Sequence, residues 1–123
     1  MNRFTGVGRL ARNAVVNGGE KKVLKFTLAT NYGHNEKTGK ERVAFVPCVV
    51  FGPAEELAAA LTENGNGVLV SVDGRVVTSK FESKGETKYS TEVAVDRNSV
   101  KVLSKASKPV PEIEDHIFTG EQQ

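Results

Sequence analysis

Residues 68 to 95, VLVSVDGRVVTSKFESKGETKYSTEVAV, decide the fold. Along them Val68, Val70, Val72 and Val76 fall on one face, and Ser71, Asp73, Arg75, Ser79 and Phe81 on the other. Beyond the Gly-containing polar segment Glu82 to Glu86, Val93 and Val95 share a face with Thr91 and Tyr89. Period-two alternation on both sides of a polar turn predicts a β-hairpin with one buried face. Its arms carry Lys80, Phe81, Lys88 and Tyr89 where the strands should leave the core. Aromatics interleaved with lysines on an exposed ribbon can stack on bases while neutralising phosphates. The plainer alternative is a solvated hairpin whose Phe81 caps the core, and Tyr89 is read as a packing residue.

Upstream of the hairpin, Pro53 to Glu63 (PAEELAAALTE) reads as the one helix. Pro53 suits the first helical position, Glu55 and Glu56 offset the N-terminal dipole, and Asn64-Gly65 ends it. Leu57 and Leu61, four apart, form its apolar stripe. Before the helix, residues 43 to 51 (VAFVPCVVF) are apolar on both faces, so one face must meet something besides its own core. A subunit interface, or bases laid on Phe45 and Phe51, would satisfy it. Pro47 cannot donate to a ladder, which predicts an edge or bulge there.

Residues 31 to 42 (NYGHNEKTGKER) read as a long polar loop whose only ring-bearing side chains are Tyr32 and His34. Leu24, Phe26 and Leu28 alternate with Lys25 and Thr27 as a half-buried strand, and Asn17-Gly18-Gly19 marks a turn. Residues 3 to 12 (RFTGVGRLAR) read as the first strand, in which Gly6 and Gly8 permit a bend or a close approach. Downstream of the hairpin, Asp96 to Leu103 extends its second arm past an irregularity at Asp96–Ser99. From Ala106 onward, Pro109, Pro111 and polar residues predict a disordered tail.

Composition bounds the function classes. The chain has 123 residues with 38% hydrophobic and 26% charged content, enough for one domain with a core, and it lacks an apolar run long enough to span a membrane. MNRFTGVGRLAR lacks the apolar centre of a signal peptide, which makes the cytoplasm the expected compartment. Cys48 is the sole cysteine and His34 and His116 the only histidines, so neither an internal disulfide nor a closed zinc site is expected. Cys48 reads as a small core residue. The net charge of +2 hides an asymmetry, because residues 106 to 123 set Lys108 against Glu112, Glu114, Asp115 and Glu121. A basic body with an acidic tail points to a polyanionic partner for the body.

The order strand, strand, strand, helix, strand, strand is that of the OB-fold, a five-stranded barrel with its helix between the third and fourth strands. The expected class is therefore all-β, with residues 1 to 104 as the barrel domain and 105 to 123 as a flexible acidic tail. In that fold the surface of strands 2 and 3 and the loops 1–2 and 4–5 bind oligonucleotides or oligosaccharides.

Several segments resemble the bacterial single-stranded DNA-binding proteins. They are Met1-Asn2-Arg3 with Gly8-Arg9-Leu10, Phe26 to Asn31, Val49-Val50-Phe51-Gly52, Val72-Asp73-Gly74-Arg75, Lys80-Phe81, and Tyr89 to Val93. Together, in this order and spacing over residues 1 to 103, they are specific. The resemblance implies binding of single-stranded DNA without strong sequence preference, protecting it during replication, recombination or repair. It implies that bases stack on Phe51, and on Phe45 and Phe81 where the family commonly has Trp. Tyr32 and His34 stand nearest the family's loop Trp. Lys80 matches a family lysine, and Lys25, Arg75 and Lys88 complete the expected backbone-following set. The absent tryptophans, and Ser79 and Pro47 in place of basic or polar residues, imply weaker binding or a divergent plasmid- or phage-type relative.

The resemblance also implies a homo-oligomer, a tetramer rather than a dimer, without cofactor. In the family, an acidic tip ending on an apolar residue recruits replication and repair proteins. Asp115, Ile117 and Phe118 resemble it, although Thr119 to Gln123 follow. A rival reading is a primosomal-type OB module that mainly docks proteins. An enzyme is not expected, since two histidines in a loop and a tail assemble no triad with the available nucleophiles.

Overall fold

The computed structural model describes residues 1–105. Seven strands and one helix run in the order β1 (Phe4–Leu10), β2 (Val15–Asn17), β3 (Val23–His34), β4 (Glu41–Phe51), α1 (Glu55–Asn64), β5 (Leu69–Ser83), β6 (Glu86–Val95) and β7 (Lys101–Ser104). Five of them close a barrel: β1 pairs β3, then β4, β6 and β5 follow, and β5 returns to β1. All these pairings are antiparallel except β4 with β6, which is parallel over Cys48–Val93, Val49–Ala94 and Val50–Val95. The expected OB-type barrel is present. One expectation is corrected: the helix follows the fourth strand in the chain, not the third. The reason is β2, three residues that pair with β3 as a side branch and are too short to show a period.

The core is the inward set of each barrel strand: Leu10, Leu24, Phe26, Leu28, Cys48, Val50, Val70, Val72, Val93 and Val95. At about 25 cal/mol per Å² of apolar surface removed from water, such a set is the main favourable term in folding. Helix α1 closes one end with Leu61, fully buried, and with Leu57 and Ala58 packed beside it. The helix is tied to the chain after β1 by the Ala14 N–H donating to the Leu61 carbonyl at 2.8 Å. It starts later than expected: Ala54 is the N-cap with ψ 142°, leaving Pro53 outside the helix. Gly65 ends it with a right-handed φ of −78°, so its lack of a side chain serves contact instead; a Cβ there would collide with the Leu61 carbonyl.

Gly8 and Gly74 do the same for the barrel wall. A Cβ on Gly8 would collide with the Ala29 carbonyl of β3, and one on Gly74 with the Ala94 carbonyl of β6. These are the points where β1 and β5 pass from one neighbour to the next, where strands must approach closely. The Asp96–Ser99 irregularity is a turn held to β5: the Ser99 hydroxyl donates to the carbonyls of Asp73 and Asp96 and accepts from the Asp73 N–H. Pro47 causes no bulge. It keeps register with Thr27 and lies where the other edge of β4 is free, since β6 joins only at Cys48.

Half of the polar stretch 31 to 42 is strand. β3 runs to His34, β4 restarts at Glu41, and a bulge at Tyr32 separates Asn31 from Gly33. The remaining six-residue turn is braced by Asn35, whose side-chain oxygen accepts from the N–H of Lys37 at 2.8 Å and of Thr38 at 3.3 Å. Among the described residues no helix is long and apolar enough to cross a membrane. The tail, with Asp115, Ile117 and Phe118, lies outside the described residues.

Candidate nucleic-acid interface

The outward face of β3, β4, β6 and β5 carries six of the candidate residues, Lys25, Phe45, Phe51, Arg75, Phe81 and Lys88. Cross-strand partners share a face, so Lys25 with Val49, Ala29 with Phe45, Val23 with Phe51 and Arg75 with Ala94 all point away from the core. On the hairpin, Phe81 opposite Lys88 continues the same face. Between β3, β4 and the hairpin lies an open groove of about 590 Å³, into which Lys25, Phe51 and Phe81 project. Phe51 is 61% exposed and Phe81 45%, values that place both rings outside any packed core.

The groove floor explains the doubly apolar strand. Val49 faces outward yet is only 1% exposed, because it lies at the bottom of the groove. Ser79 and Ser90, directly opposite each other, and Glu92 complete the hairpin side; Asn17 and Gly18 form the far rim. Gly18 at φ 93° turns the chain there, a conformation that L side chains resist. Beyond Phe51 the chain turns at Gly52, φ 64°, and a Cβ on Gly52 would stand 3.7 Å from the Arg97 guanidinium. Arg97 is therefore a cation beside the Phe51 end of the groove.

Electrostatically, the face is free to take an anion. Among the described residues the one ion pair is Arg3 with Asp73 at 3.9 Å, so Lys25, Arg75 and Lys88 on this face are held by no carboxylate. Glu92 is the single acid lining the groove, and it too has no ion-pair partner there. Cys48 is buried, and burial, with a smaller push from Glu92, raises its thiol to about 12, which removes it as a nucleophile at neutral pH.

The groove brings together three of the nine expected site residues. Arg75 and Lys88 share its face outside the pocket, while Phe45 is half-buried on that face beyond Pro47. Tyr32 and His34 are exposed at the far end of the β3–β4 hairpin. Lys80 is on the opposite face of the ribbon from Phe81, paired with Tyr89, and Tyr89 is exposed rather than packed. Val49, Glu92, Ser90 and Arg97 escaped the sequence reading. Only Arg97, next to the Asp96–Ser99 irregularity, had a local signal.

Residues 1–103 match the model of the single-strand binding protein family. The chain belongs to that family. Similar proteins include a single-stranded DNA-binding protein of Lactiplantibacillus plantarum, 36% identical over 104 residues that cover 81% of this chain and 50% of that one. Another, from Oceanobacillus iheyensis, is 37% identical over 102 residues, covering 78% of this chain and 60% of that protein. A third, from Clostridium tetani, is 34% identical over 112 residues, covering 88% and 74%. The chain thus spans about half to three-fifths of the length of the first two relatives. Among solved structures, a Plasmodium falciparum family protein in complex with single-stranded DNA superposes with a TM-score of 0.63 at 22% identity, covering 85% of this chain and 94% of that one. At that identity the likeness concerns the fold.

Proposed function

We propose that this protein binds single-stranded DNA without strong sequence preference and protects it during replication, recombination or repair. The observation that carries the reading is the pair of exposed rings, Phe51 and Phe81, on either side of a groove that Lys25 enters. Unpaired bases offer their faces to such rings, each stack contributing about 1–3 kcal/mol, and phosphates release counterions to the lysines. A duplex hides its base faces and gains only the second term. The names of the relatives support the same ligand.

Residues 1 to 104 form the binding domain in this reading, and 105 to 123 a tail that recruits replication or repair proteins. The protein works as a homo-oligomer, a tetramer before a dimer, in the cytoplasm, and is not an enzyme. The separation of His34 and Cys48, eight residues apart along the β3–β4 ladder and so roughly 25 Å from each other, supports the last point. Over a protein-docking module of the primosomal type, the open groove favours direct binding. Titration of labelled oligo(dT) and of a duplex of equal length at two salt concentrations, with native mass in parallel, tests it. Tight, salt-sensitive binding of the single strand alone is expected; equal binding of the duplex, or none of either, rejects it.

A further inference from the structure

The β5–β6 ribbon carries a second aromatic–lysine pair that the groove does not use. Phe81 stands opposite Lys88 on the groove face; one step along the ladder, Lys80 stands opposite Tyr89 on the reverse face. Tyr89 is 68% exposed, more than any other aromatic side chain among the described residues. Closer to the barrel this face is the core face of Val93, and the ring would be buried if the barrel continued. It does not. β1 accompanies β5 only as far as Gly74, and β4 accompanies β6 only from Val93 to Val95. From Val77 to Ser83 the sole partner of β5 is β6, so both faces of the ribbon are open.

The reverse face has the chemistry of a strand-binding surface and lacks that of a protein interface. Around Tyr89 the cross-strand rows are Thr78 with Thr91, and Glu82 with Thr87. A protein interface of usual strength needs about 800 Å² per partner around an apolar centre, which one ring among threonines, with the exposed Val76 one row further in, does not supply. A ring with a lysine directly across the ladder can hold a base and its phosphate. Lys80 has no carboxylate partner among the described residues. Lys84, at φ 52° in the two-residue turn Lys84-Gly85, sets a third cation at the tip, between the two faces. Glu82 and Glu86 lie nearer the tip, one on each face, leaving the lysine–aromatic pairs inboard.

We propose that the ribbon binds single-stranded nucleic acid on both faces. The strand passes Phe81, rounds the tip at Lys84 and stacks a further base on Tyr89, with Lys80 at the adjoining phosphate. This extends the groove reading and rests on it.

Length dependence separates the two faces. In the full chain, affinity is measured for an oligo(dT) of about 6 nucleotides, which the groove alone can fill, and for one of about 30, which can go round the ribbon. Tyr89→Ala should leave the short oligonucleotide within twofold of wild type and weaken the long one by about fivefold or more. Tyr89→Phe should restore the long one, and Phe81→Ala should weaken both. The proposal is overturned if Tyr89→Ala leaves the long oligonucleotide unaffected or weakens both lengths equally. It is also overturned if native mass changes, which would make Tyr89 a contact between copies. Failure of the wild-type protein to bind either length removes the groove reading, a result distinct from all of these.

Discussion

Truncating Phe81 to alanine separates stacking from charge. The ring is 45% exposed and sits on a two-stranded ribbon, so its loss leaves the barrel core intact. If it holds one base, the variant loses about 1–3 kcal/mol, or roughly 5- to 150-fold in affinity. Stacking releases no counterions, so the dependence of affinity on salt should keep its wild-type slope. Folding stability should fall by far less than the roughly 3–5 kcal/mol that a buried Phe costs. Phe26→Ala gives the converse control. Phe26 is 5% exposed and inward-facing, so that variant should lose stability by about that amount and, below its melting temperature, keep its affinity. Anisotropy of a labelled oligo(dT) at several salt concentrations, with thermal melts, reads all three quantities. Affinity within twofold of wild type for Phe81→Ala, or a changed salt slope, would refute the stacking role.

Lys25→Ala should weaken binding and reduce the slope of log affinity against log salt by about 0.7, the value for one phosphate contact on a single strand. Glu92→Gln, which removes the groove's one acid, should tighten binding by roughly fivefold, or about 1 kcal/mol, and titration at low salt checks it. The Cys48 thiol is raised in the folded state, so its neutral form stabilises the fold below the ordinary value of 9.0, and that stability is lost as pH rises towards about 12. Cys48→Ala should accordingly flatten the alkaline loss of stability in urea melts. Leu61→Ala, at a fully buried site, should cost about 2–5 kcal/mol by denaturant unfolding.

What could be read from the residues divides at the rim of the barrel. Inside it, period two is enforced by burial, so Val70, Val72, Val93 and Val95 announced β5 and β6, and Leu24, Phe26 and Leu28 announced β3. Beyond it, strands have no buried face and hence no period: Asn31 to His34 read as loop although they pair with β4. The same limit misplaced Tyr89. Parity correctly set it on the face of Val93, but the core had ended before reaching it. Lys80 was grouped with Phe81 by adjacency, whereas adjacent strand residues face opposite ways. Phe51 and Phe81 stand out as large rings in doubly apolar or otherwise polar strands, but the family resemblance, not the period, makes them candidates for base stacking. Glu92 and Val49 were not, because their proximity depends on the parallel contact of β4 with β6, between segments distant in the chain.

In the proposed complex, bases lie against Phe51 and Phe81. Ultraviolet cross-linking of oligo(dT) to the wild-type protein, followed by peptide mapping of the adducts, tests it without altering a residue. Adducts on the peptides containing Phe51 and Phe81, competed away by unlabelled single strand, are the predicted result. Adducts confined to other surfaces, such as β1 or β7, with none in the groove, would contradict it.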